Sequence, residues 1–313
     1  MQSMTFREFS DQLVILYNQR NFEDALQLLE EQRDFFPEQA TRITFWRMCL
    51  LSLAGRPADV LSVFQQGVNA GHWWSEQVFA DPDLDGVRDL PEFQRLVAIS
   101  EEKYQEARAR IPRDHAILLP EPPASGTYPL LIALHGRNGN TDSHLEVWEA
   151  ARQRGWLVVS PQSTQPLFPG AYCWDNPVQG MADVLYSYEQ ISQAYAIDPQ
   201  RLIIAGFSQG SGMALSTALS GKLPARGFIG IASWWAEPKS LIPQIEAAKR
   251  LRAYFITGEK DHTFDTAKEI QNALKENDIQ FGEELYADLA HEFPPDFESS
   301  FDKALRFILG SQP

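Results

Sequence analysis

Cysteine is scarce in this chain, which excludes proteins held together by disulfides. Cys49 and Cys173 are the two cysteines among 313 residues, and they lie far apart in the sequence. Two thiols cannot form a disulfide framework, and they are too few for a zinc site of the usual spacing. We therefore expect two free thiols, with Cys49 as a small core residue in an apolar helical run.

The sequence also lacks a long hydrophobic run and an excess of basic charge. No stretch reaches the roughly 18 apolar residues that predict a membrane span, and the start, MQSMTFREFSDQL, is unlike a secretory signal. Asp and Glu number 42 against 27 Lys and Arg, which gives a net charge of −15. Such an acidic surface is unsuited to binding phosphates or anionic lipid. We expect no nucleic-acid partner, no membrane span and a cytoplasmic location.

Residues 1–110 show the spacing of amphipathic helices. Apolar residues recur three and four positions apart, and no strand pattern interrupts them. RNFEDALQLLEEQ at 20–32 aligns with GRPADVLSVFQQG at 55–67, an offset of about 35 residues that is close to the tetratricopeptide period. We predict an all-α domain over 1–110. It is either a tetratricopeptide-like set of helical hairpins or a bundle whose helices have similar lengths.

The segment DPDLDG, which begins at Asp81, has the acidic spacing of a calcium-binding loop. Gly86 and Glu92 occupy the positions of the loop glycine and of the final acidic ligand. Pro91 and the apolar Val87 instead favour a turn whose aspartates cap neighbouring helices. We expect the turn, and we expect no metal in the protein.

The pattern changes near residue 111, where a short apolar segment is followed by a loop rich in Pro, Gly and Ser. Short apolar runs then alternate with helical stretches such as 181–195 and 264–277. The runs are YPLLIALHG, GWLVVSPQ, QRLIIAGFS, ARGFIGIAS, LRAYFITGE and FGEELYAD. This alternation is typical of a mostly parallel sheet with helices on both faces. We predict that residues 111–313 form a doubly wound α/β domain.

Ser208 is the candidate nucleophile. It is the central residue of GFSQG, which joins the strand RLIIA directly to a helix rich in small residues. This is the G-x-S-x-G motif in its strand-turn-helix context, where the serine occupies a strained turn and flanking glycines avoid clashes. The backbone N–H of Gln209, at the start of that helix, is predicted to donate to the oxyanion of the reacting acyl group.

A serine hydroxyl needs a general base and a carboxylate that orients the base. We predict His291, which follows the last strand, as the base, because His262 leaves no acid in the expected place between itself and Ser208. Asp261 directly follows the strand AYFITG, at the strand end where catalytic residues gather, and is the predicted acid. Asp265 is the alternative, although an aspartate at the start of a helix is ordinarily a cap.

The glycine-rich turn HGRNGN follows another strand and is predicted to supply a second oxyanion donor, the backbone N–H of Arg137. We expect the side chain of His135 to fix this turn through hydrogen bonds. Trp174 and Trp234 lie in loops at the same end of the sheet and are candidates for the substrate pocket. For Trp174, ordinary packing within its loop is the alternative.

The segments LHGRNGN, GFSQG, TGEKD and AHEF together resemble the phospholipase/carboxylesterase family, which includes acyl-protein thioesterases. The resemblance covers about residues 113–310. It implies an α/β-hydrolase fold and a cofactor-free serine hydrolase that acts on acyl esters or thioesters, with Arg137 and Gln209 as oxyanion donors. This chain departs from the family's usual H-G-x-G and G-H patterns, with an extra residue before Gly139 and with Ala290 before His291.

These predictions combine into a two-step acyl transfer in which Ser208 attacks and His291 later activates water. Because a triad alone does not separate esters from amides, a serine peptidase acting on short peptides is one alternative. Another is an interaction protein whose helical repeats bind a peptide while the hydrolase domain is inactive. We expect a small-molecule ester or thioester substrate, with the helical domain available for a peptide partner or for homo-oligomer formation.

Overall fold

The computed structural model describes residues 4–241 and 251–310 of the chain. The chain divides into two compact units, Met1–Ile111 with Pro166–Gly170 and Pro112–Gln165 with Ala171–Pro313. In the described ranges, no helix combines the length and the apolar character that crossing a bilayer requires.

The first unit is built from helices that pack on their neighbours in the sequence. They are α1 (Phe6–Asn18), α2 (Phe22–Gln32), α3 (Ala40–Leu53), α4 (Pro57–Asn69) and α5 (Pro91–Arg108). Contacts join α1 to α2, α2 to α3, α3 to α4, and α4 to α5. The predicted helical N-terminal region is therefore confirmed.

The two aligned segments of the first unit bury equivalent residues. Ala25 and Leu29 of α2 are fully buried, as are Val60 and Phe64 at the matching positions of α4. Matched burial is expected of a true repeat and of a regular bundle alike. The tetratricopeptide-like interpretation stays a prediction.

The acidic segment that begins at Asp81 folds as a turn. The Asp81 carboxylate accepts a hydrogen bond from the backbone N–H of Asp83 at 3.0 Å and caps a short 3-10 helix, Pro82–Leu84. Glu92 lies in the first turn of α5 and forms an ion pair with Arg95 at 2.7 Å. Asp81 and Glu92 are thus engaged in a helix cap and in an ion pair.

Residues Pro166–Gly170 belong to the first unit although they come much later in the sequence. The Phe168 ring stacks on that of Phe45 with centroids 6.5 Å apart. The backbone N–H of Ser75 donates to the Leu167 carbonyl at 2.8 Å. The helical unit therefore consists of two separate stretches of the chain, and a single domain boundary near residue 110 does not include Pro166–Gly170.

The second unit contains a mostly parallel sheet. Its strands are β1 (His115–Leu118), β2 (Tyr128–Leu134), β3 (Leu157–Pro161), β4 (Ile197–Phe207), β5 (Gly227–Ile231), β6 (Arg252–Gly258) and β7 (Gln280–Tyr286). Across the described residues their order is β1-β3-β2-β4-β5-β6-β7, with β1 antiparallel to β3 and every other pair parallel. Two short strands, Pro166–Phe168 and Ala171–Tyr172, lie outside this sheet.

Helices cover both faces of the sheet. They are α6 (Leu145–Gln153), α7 (Pro177–Ala194), α8 (Gln209–Leu219), α9 (Phe264–Glu276) and α10 (Phe297–Leu309). Leu130 and Ile132 of β2 share a buried cluster with residues of α7, α8 and α9. Leu131 and Ala133, on the opposite face of β2, pack with residues of α6 and α10. The predicted doubly wound α/β architecture is confirmed, and it aligns the carboxyl ends of β2, β4 and β6 at one edge.

Candidate active site

Ser208 occupies a sharp turn between β4 and α8. Its backbone has φ 54° and ψ −125°, a conformation that residues with a Cβ rarely adopt. A Cβ on Gly206 would lie 2.3 Å from the carbonyl oxygen of Gly210, and a Cβ on Gly210 would lie 2.1 Å from the carbonyl oxygen of His135. Close backbone packing therefore requires glycine on both sides of the serine.

A continuous chain of hydrogen bonds joins Ser208, His291 and Asp261. His291 Nε2 lies 2.9 Å from Ser208 Oγ, and His291 Nδ1 lies 2.9 Å from Asp261 Oδ1. The backbone N–H and the hydroxyl of Thr263 also donate to Asp261 Oδ1, at 2.8 and 2.9 Å. With its Nδ1–H held by the carboxylate, His291 can present Nε2 as an acceptor for the serine proton.

The Asp261 carboxyl has the electrostatic character that an orienting acid needs. Burial acts to raise its pKa, but hydrogen bonds from His291 and Thr263 outweigh burial and hold the pKa below its usual value. The carboxyl is therefore ionised at neutral pH. The alternative acid, Asp265, is exposed in the first turn of α9, in the ordinary position of an acidic residue near a helix N-terminus.

His262 lies closer to the site than sequence reasoning indicated. Its ring centroid is 4.3 Å from that of His291, and its Nδ1 lies 3.6 Å from Asp261 Oδ1. The side chain is 73 % exposed, whereas that of His291 is 26 % exposed. The adjacency of His262 to Asp261 was visible in the sequence, but its ring contact with His291 depends on the fold.

The turn after β2 passes beside Ser208. A Cβ on Gly136 would lie 3.3 Å from Ser208 Cβ. Within the described part of the chain, the backbone N–H groups of Arg137 and Gln209 make no hydrogen bond. Both are thus available to a substrate, and the Gln209 N–H begins a helix, where the dipole favours negative charge.

Asp175 connects the side chains of Arg137 and Gln209. Arg137 Nη1 donates to Asp175 Oδ1 and Oδ2 at 2.8 and 2.9 Å, and Gln209 Nε2 donates to Asp175 Oδ1 at 2.6 Å. Burial acts to raise the pKa of Asp175, but its contacts with Arg137, Cys173 and Gln209 outweigh burial and lower it. The surrounding loop was predicted to lie near the site, but no local pattern in the sequence marks Asp175 as a functional residue.

Trp174 is buried against the turn that follows β2. It is 1 % exposed, its indole N–H donates to the His135 carbonyl at 2.8 Å, and its backbone N–H donates to Gln209 Oε1 at 2.9 Å. This placement favours the packing alternative for Trp174. Trp234 is half-buried, and its backbone N–H donates to the Ser208 carbonyl at 3.3 Å, so it lies next to the serine.

Two reactive side chains near the site are buried and neutral. His135 Nδ1 lies 2.8 Å from the Gly136 carbonyl oxygen, and burial lowers the pKa of His135 to about 4. Burial, with a contribution from Asp175, raises the pKa of the Cys173 thiol to about 12. Neither residue is charged at neutral pH, so neither has the properties of a second base or of a thiolate nucleophile.

The sheet and the strained serine turn define an α/β hydrolase. A family model described as phospholipase/carboxylesterase matches residues 181–309, and one described as an A/B hydrolase-like N-terminal domain matches residues 5–108. Residues 181–309 thus match the phospholipase/carboxylesterase model, in agreement with the resemblance that the sequence motifs indicated. The chain is a hydrolase of the carboxylesterase type.

Solved structures share the fold at low sequence identity. An uncharacterized protein from Bacillus cereus ATCC 10987 is 22% identical, with 99% of this chain and 100% of that chain covered and a TM-score of 0.56. A ferulic acid esterase is 16% identical, over 63% and 92% of the two chains, with a TM-score of 0.52. The Pyrococcus horikoshii acylaminoacyl peptidase is 12% identical, over 65% and 41%, with a TM-score of 0.52. A search of curated protein sequences finds no match.

Proposed function

We propose that this protein hydrolyses small-molecule carboxylic esters or thioesters with Ser208, His291 and Asp261 as its catalytic triad. The observation that carries the proposal is the unbroken chain of hydrogen bonds from Ser208 Oγ through both ring nitrogens of His291 to Asp261, each 2.9 Å long. Every proton transfer in ester hydrolysis can be assigned to a group in this chain. The reaction proposed here uses no cofactor.

In the first step Ser208 Oγ attacks the acyl carbon while His291 Nε2 accepts the serine proton. Asp261 stabilises the resulting imidazolium through the Nδ1–H hydrogen bond. The carbonyl oxygen becomes negatively charged, and the free N–H groups of Arg137 and Gln209 are the proposed donors to it. When the tetrahedral intermediate collapses, the alcohol or thiol leaves with the proton from Nε2, and the acyl group stays on Ser208.

In the second step water hydrolyses the acyl-enzyme. His291 Nε2 accepts a proton from the water molecule as its oxygen attacks the acyl carbon. The second tetrahedral intermediate forms between the same backbone donors. Its collapse returns the proton from His291 to Ser208 and releases the carboxylic acid.

Asp175 supports the two donors in this scheme. Its carboxylate holds the guanidinium of Arg137 and the amide of Gln209 together, although the two residues belong to separate segments. Preorganised donors stabilise charge without reorganising during the reaction, so a fixed separation between them matters for the rate. The ion pair with Arg137 also neutralises a carboxylate that would otherwise disfavour an oxyanion nearby.

The proposal is tested by labelling with a fluorophosphonate, which reacts with activated serines. We expect the probe to label the natural chain and not to label Ser208→Ala. Ser220→Ala, a change at the residue that directly follows the C-terminal end of α8, should be labelled like the natural chain. Turnover of aryl esters, acyl thioesters and short peptide anilides then ranks the substrates. Equal labelling of Ser208→Ala and the natural chain would remove the proposal, and cleavage of the peptides alone would establish the peptidase alternative.

For the helical unit we propose a peptide partner or self-association, and for the protein a cytoplasmic location. A pocket of about 1010 Å³ within the helical unit combines the apolar side chains of Phe79 and Val97 with the acidic groups of Glu76, Glu101 and Glu102. The lining also contains one basic residue, Arg88, so acidic groups outnumber basic ones, which favours a peptide that carries both apolar and basic side chains. Light scattering measures self-association, and titration with such peptides measures binding.

A further inference from the structure

Asp261, His262 and His291 form a cluster of potential metal ligands. Each offers one ligand atom, and the three atoms lie within 4.8 Å of one another. The exposed ring of His262 gives the cluster an opening to solvent, while the Asp261 carboxylate lies at its buried end. An ion could therefore reach the cluster without unfolding the site.

Two of the three separations between the ligand atoms are close to those around a tetrahedral ion. Zinc bonds to nitrogen and oxygen of about 2.0–2.1 Å place neighbouring ligand atoms of a tetrahedron roughly 3.3 Å apart. His291 Nδ1 and Asp261 Oδ1 are 2.9 Å apart, and His262 Nδ1 and Asp261 Oδ1 are 3.6 Å apart. Movements of a few tenths of an ångström would bring both distances to the tetrahedral value.

One oxygen of the Asp261 carboxylate is also free to accept a hydrogen bond or to bind a cation. This atom, Oδ2, is buried and has no hydrogen-bond partner among the described residues. Buried polar atoms without a partner are uncommon in folded proteins, because desolvation then goes uncompensated. A cation bound beside this carboxylate would supply the missing positive partner.

We propose that Asp261, His262 and His291 form an inhibitory site for a divalent transition-metal ion, with Zn²⁺ as the best fit and water as the fourth ligand. The ion takes the position of the proton on His291 Nδ1, and that proton moves to Nε2. A neutral imidazole protonated on Nε2 cannot accept a proton from Ser208, so binding stops catalysis. Imidazole ligands favour Zn²⁺, Cu²⁺ and Ni²⁺ over Mg²⁺ and Ca²⁺. The inhibition, unlike the binding, rests on the proposed function.

The test uses Zn²⁺ itself as the probe, on the full-length protein. Zinc should inhibit ester hydrolysis reversibly, with activity restored by EDTA, whereas Mg²⁺ should have no effect. Loss of an outer-shell partner costs roughly 10–100-fold in metal affinity, so loss of a ligand in His262→Gln should raise the half-inhibitory zinc concentration at least about tenfold. Zinc inhibition of His262→Gln is expressed relative to the variant's own activity without zinc, so that any effect of the substitution on turnover itself is separated from zinc binding. His115→Gln, which changes a histidine on β1, should keep the zinc sensitivity of the natural chain.

Calorimetry separates this inference from the proposed function. Zinc should bind Ser208→Ala as it binds the natural chain and should bind His262→Gln more weakly, whether or not an ester is ever turned over. Equal inhibition of the natural chain and His262→Gln, or no zinc binding to the natural chain, would overturn the inference. Thermal melting of His262→Gln, with His262→Asn as a second variant, shows whether any lost binding reflects unfolding.

Discussion

The side-chain amide of Gln209 lies 2.6 Å from the carboxylate of Asp175, which ties the residue after Ser208 to a loop 34 positions earlier in the sequence. The same carboxylate holds Arg137 through two hydrogen bonds. One side chain thus fixes the relative position of the two proposed oxyanion donors.

Replacing Asp175 with alanine should lower kcat more than it raises KM. The loss of one oxyanion donor costs about 10²–10³ in kcat, so misplaced donors should cost roughly tenfold to a hundredfold. Because the donors act on the charged intermediate, KM should change little. The affinity for a boronic acid that forms a tetrahedral adduct on Ser208 should fall in parallel with kcat.

The matched control is Asp175→Asn, which keeps an acceptor for the Gln209 amide but removes the ion pair with Arg137. Its kcat should lie between those of the natural chain and of Asp175→Ala. Unchanged kcat in Asp175→Ala, together with unchanged boronic acid affinity, would contradict a positioning role. A lower melting temperature without a change in kcat would show that the contact is structural alone.

Asp261→Asn should nearly abolish turnover, and Asp265→Asn should not. An asparagine at 261 can hold His291 in the wrong tautomer, with the proton on Nε2, and the corresponding change in known triads costs about 10⁴ in kcat. Asp265 is exposed in the first turn of α9 and has an ordinary helix-terminal position. Steady-state kinetics of both variants on one aryl ester check the prediction, and a comparable loss in Asp265→Asn would reassign the acid.

The sequence predicted those parts of the structure that depend on residues close together in the chain. The serine turn needs small residues at fixed positions beside it, and Gly206 and Gly210 record that requirement directly in the sequence. The parallel sheet was predictable from its apolar runs, and a parallel sheet brings the ends of β2, β4 and β6 to one edge. The fold therefore followed from local patterns and from the rules of strand packing.

The supporting contacts were not predictable, because they join distant segments. Asp175 meets Arg137 across 38 positions, and Trp174 meets the His135 carbonyl across 39. Nothing in the local pattern around Trp174 separates a pocket wall from a buried support. Likewise Pro166–Gly170 carries no helical signal, and its place in the helical unit depends on tertiary contacts such as that of Phe168 with Phe45.

His135 should make the protein less stable as the pH falls from about 6.5 to about 4. Its pKa is about 4 in the folded protein and near 6.5 in an unfolded chain, so in this range the unfolded state binds more protons. Above pH 6.5 His135 is neutral in both the folded and the unfolded state and does not lower the free energy of unfolding. At pH 4 its protonation in the unfolded state lowers the free energy of unfolding by roughly 3 kcal/mol.

Urea denaturation of the natural chain and of His135→Asn at several pH values isolates this effect from other titrating groups. Asparagine places an amide near the position of Nδ1 but does not titrate. The stability difference between the two proteins should therefore shift in favour of His135→Asn as the pH falls below 6.5. A difference that stays constant between pH 7 and pH 4 would show that His135 is not held neutral in the folded state.

Gly210→Ala should damage both stability and catalysis. The new Cβ would lie 2.1 Å from the His135 carbonyl oxygen and 2.7 Å from that of Leu134, and these backbone atoms cannot move without displacing the turn that carries Arg137. Overpacking typically costs about 1–3 kcal/mol, and a clash with backbone atoms should lie at the upper end of that range, while the displaced turn should lower kcat. Gly86→Ala is the control, because its Cβ would meet no atom closer than 3.4 Å. Urea denaturation and ester kinetics on both variants measure the two effects, and a Gly210→Ala protein with natural stability and kcat would contradict the close packing beneath Ser208.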